Sequence, residues 1–174
     1  NATIMESLIR VEDIHEICLK KNKKLVLYLS MGFGNPYGDP WNLDIVEEWV
    51  DRLNKMGIEI VSLSDTIGVS SRESIEYLFT GLIPKYPDVE FGAHLHTHPD
   101  KWYEKVDASF SHACLMMDSA IKVFGGCPMS KDDLVGNMAT ENVIQYLIEK
   151  GQLPDIDLEA FGKALRLADE IFPK

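Results

Sequence analysis

Short apolar runs alternate with amphipathic stretches along this chain, and that alternation limits its possible folds more than any other feature. Each pair of segments takes about 30 residues, the length of a strand–helix unit. Such repetition predicts βαβ units around a parallel sheet. The predicted strands are Lys24–Ser30, Ile58–Ser64, Val89–His96 and Leu115–Ile121, and the predicted helices are Met5–Lys21, Asn42–Met56, Ser71–Tyr86, Trp102–Ala113, Thr140–Lys150 and Leu158–Phe172.

Two α/β architectures share this pattern, a doubly wound open sheet and a (β/α)8 barrel. A barrel typically takes about 250 residues, whereas this chain has 174. Its four predicted strands would therefore form about half of a barrel. We also expect the chain to be part of a longer product, because it starts at Asn1 rather than at a methionine.

Composition excludes several classes of partner. The net charge is −11, and a nucleic-acid surface needs clustered Lys and Arg. No run approaches the roughly 20 apolar residues of a membrane span. The three cysteines are far apart and odd in number, so they predict no disulfide framework and favour a reducing cytosol.

Three histidines at alternate positions fall in the segment "GAHLHTHPD". His94 and His96 end the third predicted strand, and their side chains start about 7 Å apart on one side of it. In α/β folds ligands bind at the C-terminal ends of strands. The two rings are either ligands of one cation or polar groups that meet only water and backbone carbonyls. His98 lies past the predicted strand end, in a loop.

Two further polar residues stand near predicted element ends. Asp65, in "SDTIGV", follows the second strand, where a carboxylate can bind substrate or steer a proton. The alternative is that it caps a turn or the next helix. Asn137, in "VGNMATEN", precedes a helix. It is either an N-cap or an oxygen ligand for a hard cation.

Cys127 lies in the glycine-bearing loop "FGGCPMSK". The glycines allow close approach to a ligand, and a thiol in such a loop is exposed enough to exchange protons. The alternative role is that of a small apolar loop residue. Cys18 and Cys114 lie on or beside helices, so we predict that both are buried.

Four segments, in order, resemble the hydroxymethylglutaryl-CoA lyase family, which belongs to a superfamily of metal-dependent lyases and synthases built on a TIM barrel. They are "YLSMGFGNPYGD", "VSLSDTIGV", "GAHLH" and "FGGCPMSKDDLVGNMATE". The resemblance implies a (β/α)8 TIM-barrel fold of which this chain is the C-terminal half, about strands 5 to 8 with their flanking helices. It predicts one domain over residues 1–174, with barrel units in about 1–151 and an extra helix in about 155–174.

The resemblance also implies an activity and the residues that perform it. The reaction would cleave 3-hydroxy-3-methylglutaryl-CoA into acetyl-CoA and acetoacetate. His94, His96 and Asn137 would bind a divalent cation, Mg or Mn, with Zn as a further possibility. His94 and Cys127 would transfer protons. The substrate site would include Asp65 and Thr66. We accordingly expect a cytoplasmic homo-oligomer that binds an acyl-CoA and neither nucleic acid nor membrane.

The chain departs from the family pattern at three places. The family's N-terminal Arg-Asp-Gly motif, which supplies a metal-ligand Asp and a catalytic Arg, is absent. The segment after His-x-His differs, and Asn35 replaces a loop cysteine that many members have. Two alternatives remain: a related aldolase or synthase acting on another acyl-CoA or 2-oxo acid, and a non-catalytic α/β binding domain. The loop cysteine favours the lyase over the synthase.

Overall fold

The structure is a computed structural model, and it describes residues 2–124 and 135–172. Strands and helices alternate along the chain as predicted, with boundaries that differ by a few residues. The helices are α1 (Ile4–Lys20), α2 (Leu43–Lys55), α3 (Arg72–Leu82), α4 (Trp102–Ser111), α5 (Thr140–Glu149) and α6 (Leu158–Ile171); the strands are β1 (Val26–Leu29), β2 (Ile60–Ser64), β3 (Glu90–His94), β4 (His96–Thr97), β5 (Met116–Met117) and β6 (Gly136–Asn137); a 3-10 turn spans Ile121–Val123.

Four of the strands form one parallel sheet in the order β1-β2-β3-β5. Its register places Tyr28, Ser62, Gly92 and Met116 side by side in one row across the sheet. The parallel sheet is therefore confirmed. Because all four strands point the same way, their C-terminal ends meet at one edge of the sheet.

One face of the sheet is fully apolar and packs under the helices. Leu63 of β2 and Phe91 of β3 belong to the same buried cluster as Val50 of α2 and Phe79 of α3. Val61 also lies in this cluster and is completely buried. Val61 is in register with Leu27 and not with Tyr28, so it lies on the face that packs under the helices.

The opposite face of the sheet is mixed, with the small residues Ser62 and Gly92 between Tyr28 and Met116. A β-carbon added at Gly92 would lie 2.3 Å from the terminal methyl carbon of Met116 and 3.2 Å from the hydroxyl of Ser62. That hydroxyl is buried and has no hydrogen-bond partner among the described residues. Glycine at this position therefore makes room for Met116 to lie across the middle of the sheet.

The fourth strand of the sheet is shorter than predicted. Only Met116 and Met117 pair with β3, and Ala120 makes an isolated parallel bridge to Ala139. The backbone then turns sharply, since Lys122 and Val123 both have positive φ angles. These angles are incompatible with continued strand geometry.

The predicted helix ends are confirmed at two positions. Ser71 caps α3, with its hydroxyl accepting from the backbone N–H of Ser74, and Gly57 follows α2 with a φ of +81°. Helix α1 differs from expectation because none of its side chains is fully buried. Leu8 packs against the core cluster, whereas the apolar residues Ile9 and Ile17 are exposed.

Within residues 2–124 and 135–172, none of the helices combines the length and the apolar character that crossing a lipid bilayer requires.

Candidate functional site

The two histidines of the His-x-His segment lie at the C-terminal edge of the sheet, in two different strands. His94 ends β3 and is in register with Ser64, whereas His96 begins β4 and pairs in antiparallel fashion with Asn137 of β6. Leu95 between them is buried, and its carbonyl accepts from the backbone N–H of Met138 at 3.2 Å. The predicted single strand to His96 is thus divided, because the chain leaves the sheet to pair with β6.

The two imidazole rings remain close together despite this division. Their centroids are 5.2 Å apart, with an interplanar angle of 80°. Nδ1 of His94 lies 3.2 Å from a carboxylate oxygen of Asp118, and Nδ1 of His96 lies 2.7 Å from the backbone carbonyl of Asp65. A carbonyl can only accept, so Nδ1 of His96 must bear the proton and donate it. Nε2 of this ring is then the nitrogen that can bind a cation.

The donor set fits part of a divalent metal site. Within residues 2–124 and 135–172, no group of three or more His, Cys, Asp or Glu side chains is arranged to hold a metal ion. His94 and His96 offer two imidazole nitrogens at this edge of the sheet, and the backbone pairing holds Asn137 opposite His96. The amide nitrogen of Asn137 donates to the carbonyl of Phe124 at 3.1 Å. A divalent metal site built on these three residues would need at least one further ligand.

Asp65 occupies the turn after β2 and its carboxylate is deeply buried. Its oxygens accept from the backbone N–H of Val69 at 2.8 Å, from both the N–H and the hydroxyl of Ser70, and from the ammonium of Lys105 at 3.2 Å. The capping role that the sequence left open is thus present. The substrate-binding role of Asp65 stays a prediction.

Thr66 links the turn after β2 to the loop after β1. Its hydroxyl accepts from the backbone N–H of Met31 at 2.8 Å. Met31 itself has a positive φ of 59°, and Gly32 donates to the carbonyl of Ser64. These contacts hold two strand ends together beside the histidines. The proposed contact of Thr66 with substrate stays a prediction.

Asp118 and Tyr28 belong to this edge of the sheet and were missed in the sequence. A hydrogen bond to the Asp118 carboxylate, followed by burial, raises the pKa of Tyr28 above its ordinary value. The Tyr28 ring also meets His94 edge-on, with centroids 5.9 Å apart. Asp118 follows β5 as Asp65 follows β2. The sequence hid this position, because the predicted strand ran on to Ile121.

Lys105 was also missed, and no signal in the sequence singles it out. It lies on α4, yet its side chain is only 4% exposed. Its ammonium donates to the backbone carbonyl of His96 at 2.7 Å as well as to Asp65. Lysines on helices are ordinarily solvated, so only the packed structure reveals this one.

The predictions for Cys114 and His98 are confirmed, the one for Cys18 is wrong, and the one for Cys127 stays a prediction. Cys127 lies in 125–134, outside the described residues. Cys114 is buried as predicted, and this burial raises the pKa of its thiol to about 12. Cys18 is only half-buried, which corrects the prediction, because α1 leaves most of its surface uncovered. His98 lies in a loop as predicted, where its ring is hydrogen-bonded to Asp100.

Known proteins resemble the chain over nearly all of its length. The cytoplasmic 3-hydroxy-3-methylglutaryl-CoA lyase of Rattus norvegicus is 29% identical over 164 residues, which are 94% of this chain and 48% of the relative. The 3-hydroxy-3-isohexenylglutaryl-CoA/hydroxymethylglutaryl-CoA lyase of Pseudomonas aeruginosa is 31% identical over 149 residues, or 84% of this chain and 49% of the relative. The chain thus spans about half the length of these relatives.

The solved structures give the same result for the fold. The crystal structure of the HMG-CoA lyase from Bacillus subtilis matches all of this chain and 58% of its own, with a TM-score of 0.89 and 26% identity. A comparison with protein-family models found no match. The predicted fold is confirmed: the chain is an α/β partial TIM barrel with a parallel sheet, similar to about half of an HMG-CoA lyase.

Proposed function

We propose that the chain is the histidine-bearing half of a divalent-metal-dependent carbon–carbon lyase that cleaves 3-hydroxy-3-methylglutaryl-CoA or a close acyl-CoA relative. The observation that supports this most is the arrangement of His94 and His96. Two rings converge at the C-terminal edge of a parallel sheet, and each has its Nδ1 engaged by an oxygen. Oriented imidazoles of this kind are typical of metal ligands.

The cation would be held by Nε2 of both histidines and by the amide oxygen of Asn137. Mixed nitrogen and oxygen ligands with open positions suit Mg or Mn, and Zn is the further candidate. When bound, the cation supplies a Lewis acid that polarises the substrate's oxygens. The remaining protein ligand would come from the part of the barrel that this chain lacks.

The chain's own residues would move and hold protons. Cleavage needs a base that takes the proton of the substrate's tertiary hydroxyl and an acid that protonates the enolate carbon released as acetyl-CoA. Asp118 holds Nδ1 of His94, so Nε2 of this ring either binds the cation or exchanges a proton in a given state. The thiol of Cys127 would deliver the proton to the carbon.

The substrate class follows from the relatives, since both names given above contain a glutaryl-CoA thioester. The isohexenyl form in the Pseudomonas aeruginosa protein differs only in its alkyl branch, which makes acyl-CoA esters of that kind the alternative substrates. We infer a cytoplasmic location from the name of the rat relative, which is a cytoplasmic lyase. We also infer a homo-oligomer.

Metal binding is tested by titrating Mn²⁺ into the 174-residue chain in a calorimeter. We expect His94→Ala and His96→Ala each to weaken binding at least about tenfold, since each removes a ligand. His98→Ala is the matched control, because His98 belongs to the same segment but lies in the loop, and it should change the affinity less than twofold. Unchanged affinity in His96→Ala would contradict the site.

The reaction is tested in a chimera that joins this chain to the N-terminal half of the Pseudomonas aeruginosa relative. That half would supply the Arg-Asp-Gly motif that this chain lacks. We expect acetoacetate to form from 3-hydroxy-3-methylglutaryl-CoA and to be lost in the Cys127→Ala chimera. A folded chimera that binds Mn²⁺ but cleaves neither glutaryl-CoA ester would favour the binding-domain alternative.

A further inference from the structure

A closed ring of buried contacts joins Lys105, Asp65 and His96 beneath the candidate metal ligands. The imidazole of His96 donates from Nδ1 to the backbone carbonyl of Asp65 at 2.7 Å. The ammonium of Lys105 donates to the backbone carbonyl of His96 at 2.7 Å and to the Asp65 carboxylate at 3.2 Å. Each of the three residues thus contacts the other two.

We propose that Lys105 is a positioning residue that fixes the ring of His96 and its tautomer by tying together the two backbone segments on which that ring depends. One of these segments is the turn after β2, which contains the acceptor carbonyl. The other is the start of β4, from which the ring projects. This inference rests on the proposed function in one respect: there, the oriented Nε2 of His96 would bind a cation.

The charged groups that make these contacts are buried. The side chains of Lys105 and Asp65 are 4% and 0% exposed, and a charge taken out of water must be paired and hydrogen-bonded. Burial lowers the pKa of the Lys105 ammonium, and the Asp65 carboxylate opposes that effect. Lys105 lies on the packed side of α4, where Val106 and Ser109 are also buried.

The geometry distinguishes positioning from ordinary core stabilisation. Lys105 contacts the main chain of His96 rather than its ring. Its removal would therefore leave the imidazole intact and loosen only the frame that sets the distance from Nδ1 to the Asp65 carbonyl. The ring could then adopt the tautomer that is protonated on Nε2, which cannot bind a metal through that nitrogen.

The test compares the wild-type chain with the double variant Lys105→Met/Asp65→Asn. Replacing both residues avoids an unpaired buried charge, and the backbone carbonyl of residue 65 is kept. Long-range ¹H–¹⁵N spectra of ¹⁵N-histidine protein at pH 8 report the tautomer of His96, whose signals are assigned by their loss in His96→Gln. Lys101→Met is the matched control, since Lys101 is the N-cap of α4, four residues before Lys105, and its side chain is 58% exposed.

We expect wild type and Lys101→Met to show a single Nδ1–H tautomer of His96, and the double variant to show a mixture. Mn²⁺ affinity should fall about tenfold in the double variant, as for other residues that orient metal ligands. A double variant that melts at a lower temperature but keeps the wild-type His96 signals would overturn the inference. If the tautomer shifts while wild type binds no Mn²⁺, positioning stands and the proposed metal function fails.

Discussion

Arg72 of α3 and Asp107 of α4 are joined by a hydrogen-bonded ion pair in which the two side-chain atoms are 2.6 Å apart. Two further groups donate to the other oxygen of the same carboxylate: the hydroxyl of Tyr146 on α5 at 3.0 Å and the ammonium of Lys150, the C-cap of α5, at 3.1 Å. The side chain of Asp107, which is 18% exposed, therefore connects α3, α4 and α5.

We predict that Asp107→Asn lowers the free energy of unfolding at pH 7 by about 1–2 kcal/mol. The hydrogen bond from Arg72 is the largest of the effects that lower the pKa of Asp107 to about 2 from its ordinary 3.8. A depressed carboxyl pKa stabilises the fold above the unfolded value, and this contribution is lost as the pH falls through about 2. In urea titrations, the difference between wild type and variant should therefore shrink from pH 4 to pH 2.

The control for this prediction is Asp51→Asn. Asp51 pairs with Lys55 one turn away on α2, and its side chain is 41% exposed. Exposed pairs of this kind contribute at most about 0.5 kcal/mol. An equal effect of the two variants, or one for Asp107→Asn that does not depend on pH, would contradict the network.

We predict that the three thiols react with iodoacetamide at pH 8 in the order Cys127, Cys18, Cys114. Cys114 is buried and its pKa of about 12 leaves almost no thiolate, while Cys18 is half-buried. Cys127 is placed first by its glycine-rich sequence alone. Peptide mass spectrometry over a time course measures the order, and denaturant should make the three equally reactive. Early labelling of Cys114 would be inconsistent with the packed core.

We predict that Gly92→Ala destabilises the chain by about 1–3 kcal/mol through overpacking. The added methyl would meet the end of Met116, so the cost should be smaller when Met116→Ala is already present. Gly162→Ala is the matched control: it lies in α6, where a methyl finds only ordinary contact with Arg166, and it should stabilise the helix by up to about 1 kcal/mol. Additive effects of Gly92→Ala and Met116→Ala would refute the close contact.

We predict that the 174-residue chain self-associates. Among the strands that the structure describes, β1 pairs with β2 alone, and its Val26 and Tyr28 are 38% and 48% exposed. A largely apolar cavity of about 600 Å³ also opens between this strand, α1 and α2. Unpaired strand edges are templates for association. Light scattering after size-exclusion chromatography should give a mass above that of one chain.

A charge on the exposed edge tests the cause of association. Val26→Lys should shift the chain toward monomer, because lysine on an edge strand opposes pairing. Ile148→Lys, on the outer helix α5, should leave the mass unchanged. A wild-type chain that is monomeric and melts cooperatively would show that the open edge is stable as it stands.

The strand and helix order was accessible from the sequence because apolar periodicity reports which side of each element is buried. The caps were accessible for the same local reason, as Ser71 and Gly57 show. The orientation of Val61 was not accessible, since every residue of β2 is buried and a continuous apolar run has no alternation. Likewise, the exposure of α1 depends on what packs beside it and not on its own apolar stripe.

The sequence predicted the candidate ligands of the site but not the residues that hold these ligands in place. His94 and His96 stand out by their spacing and by the family resemblance. Their hydrogen-bond partners come from other strands and from α4, so they depend on tertiary packing. Asp118 was hidden because the predicted strand extended past it to Ile121, whereas β5 ends at Met117. Lys105 looks like any helical lysine until α4 is packed against the sheet.

The antiparallel pair formed by His96 and Asn137 has a consequence for how the molecule folds. All of α4, β5 and the 3-10 turn separate the two residues in sequence, and the pair contains only two residues from each strand. Contacts so far apart along the chain form slowly, because the entropy of closing the intervening loop is lost before any contact compensates it. The sheet can therefore assemble from neighbouring strands first, and the candidate ligands His96 and Asn137 come together only when β6 pairs with β4.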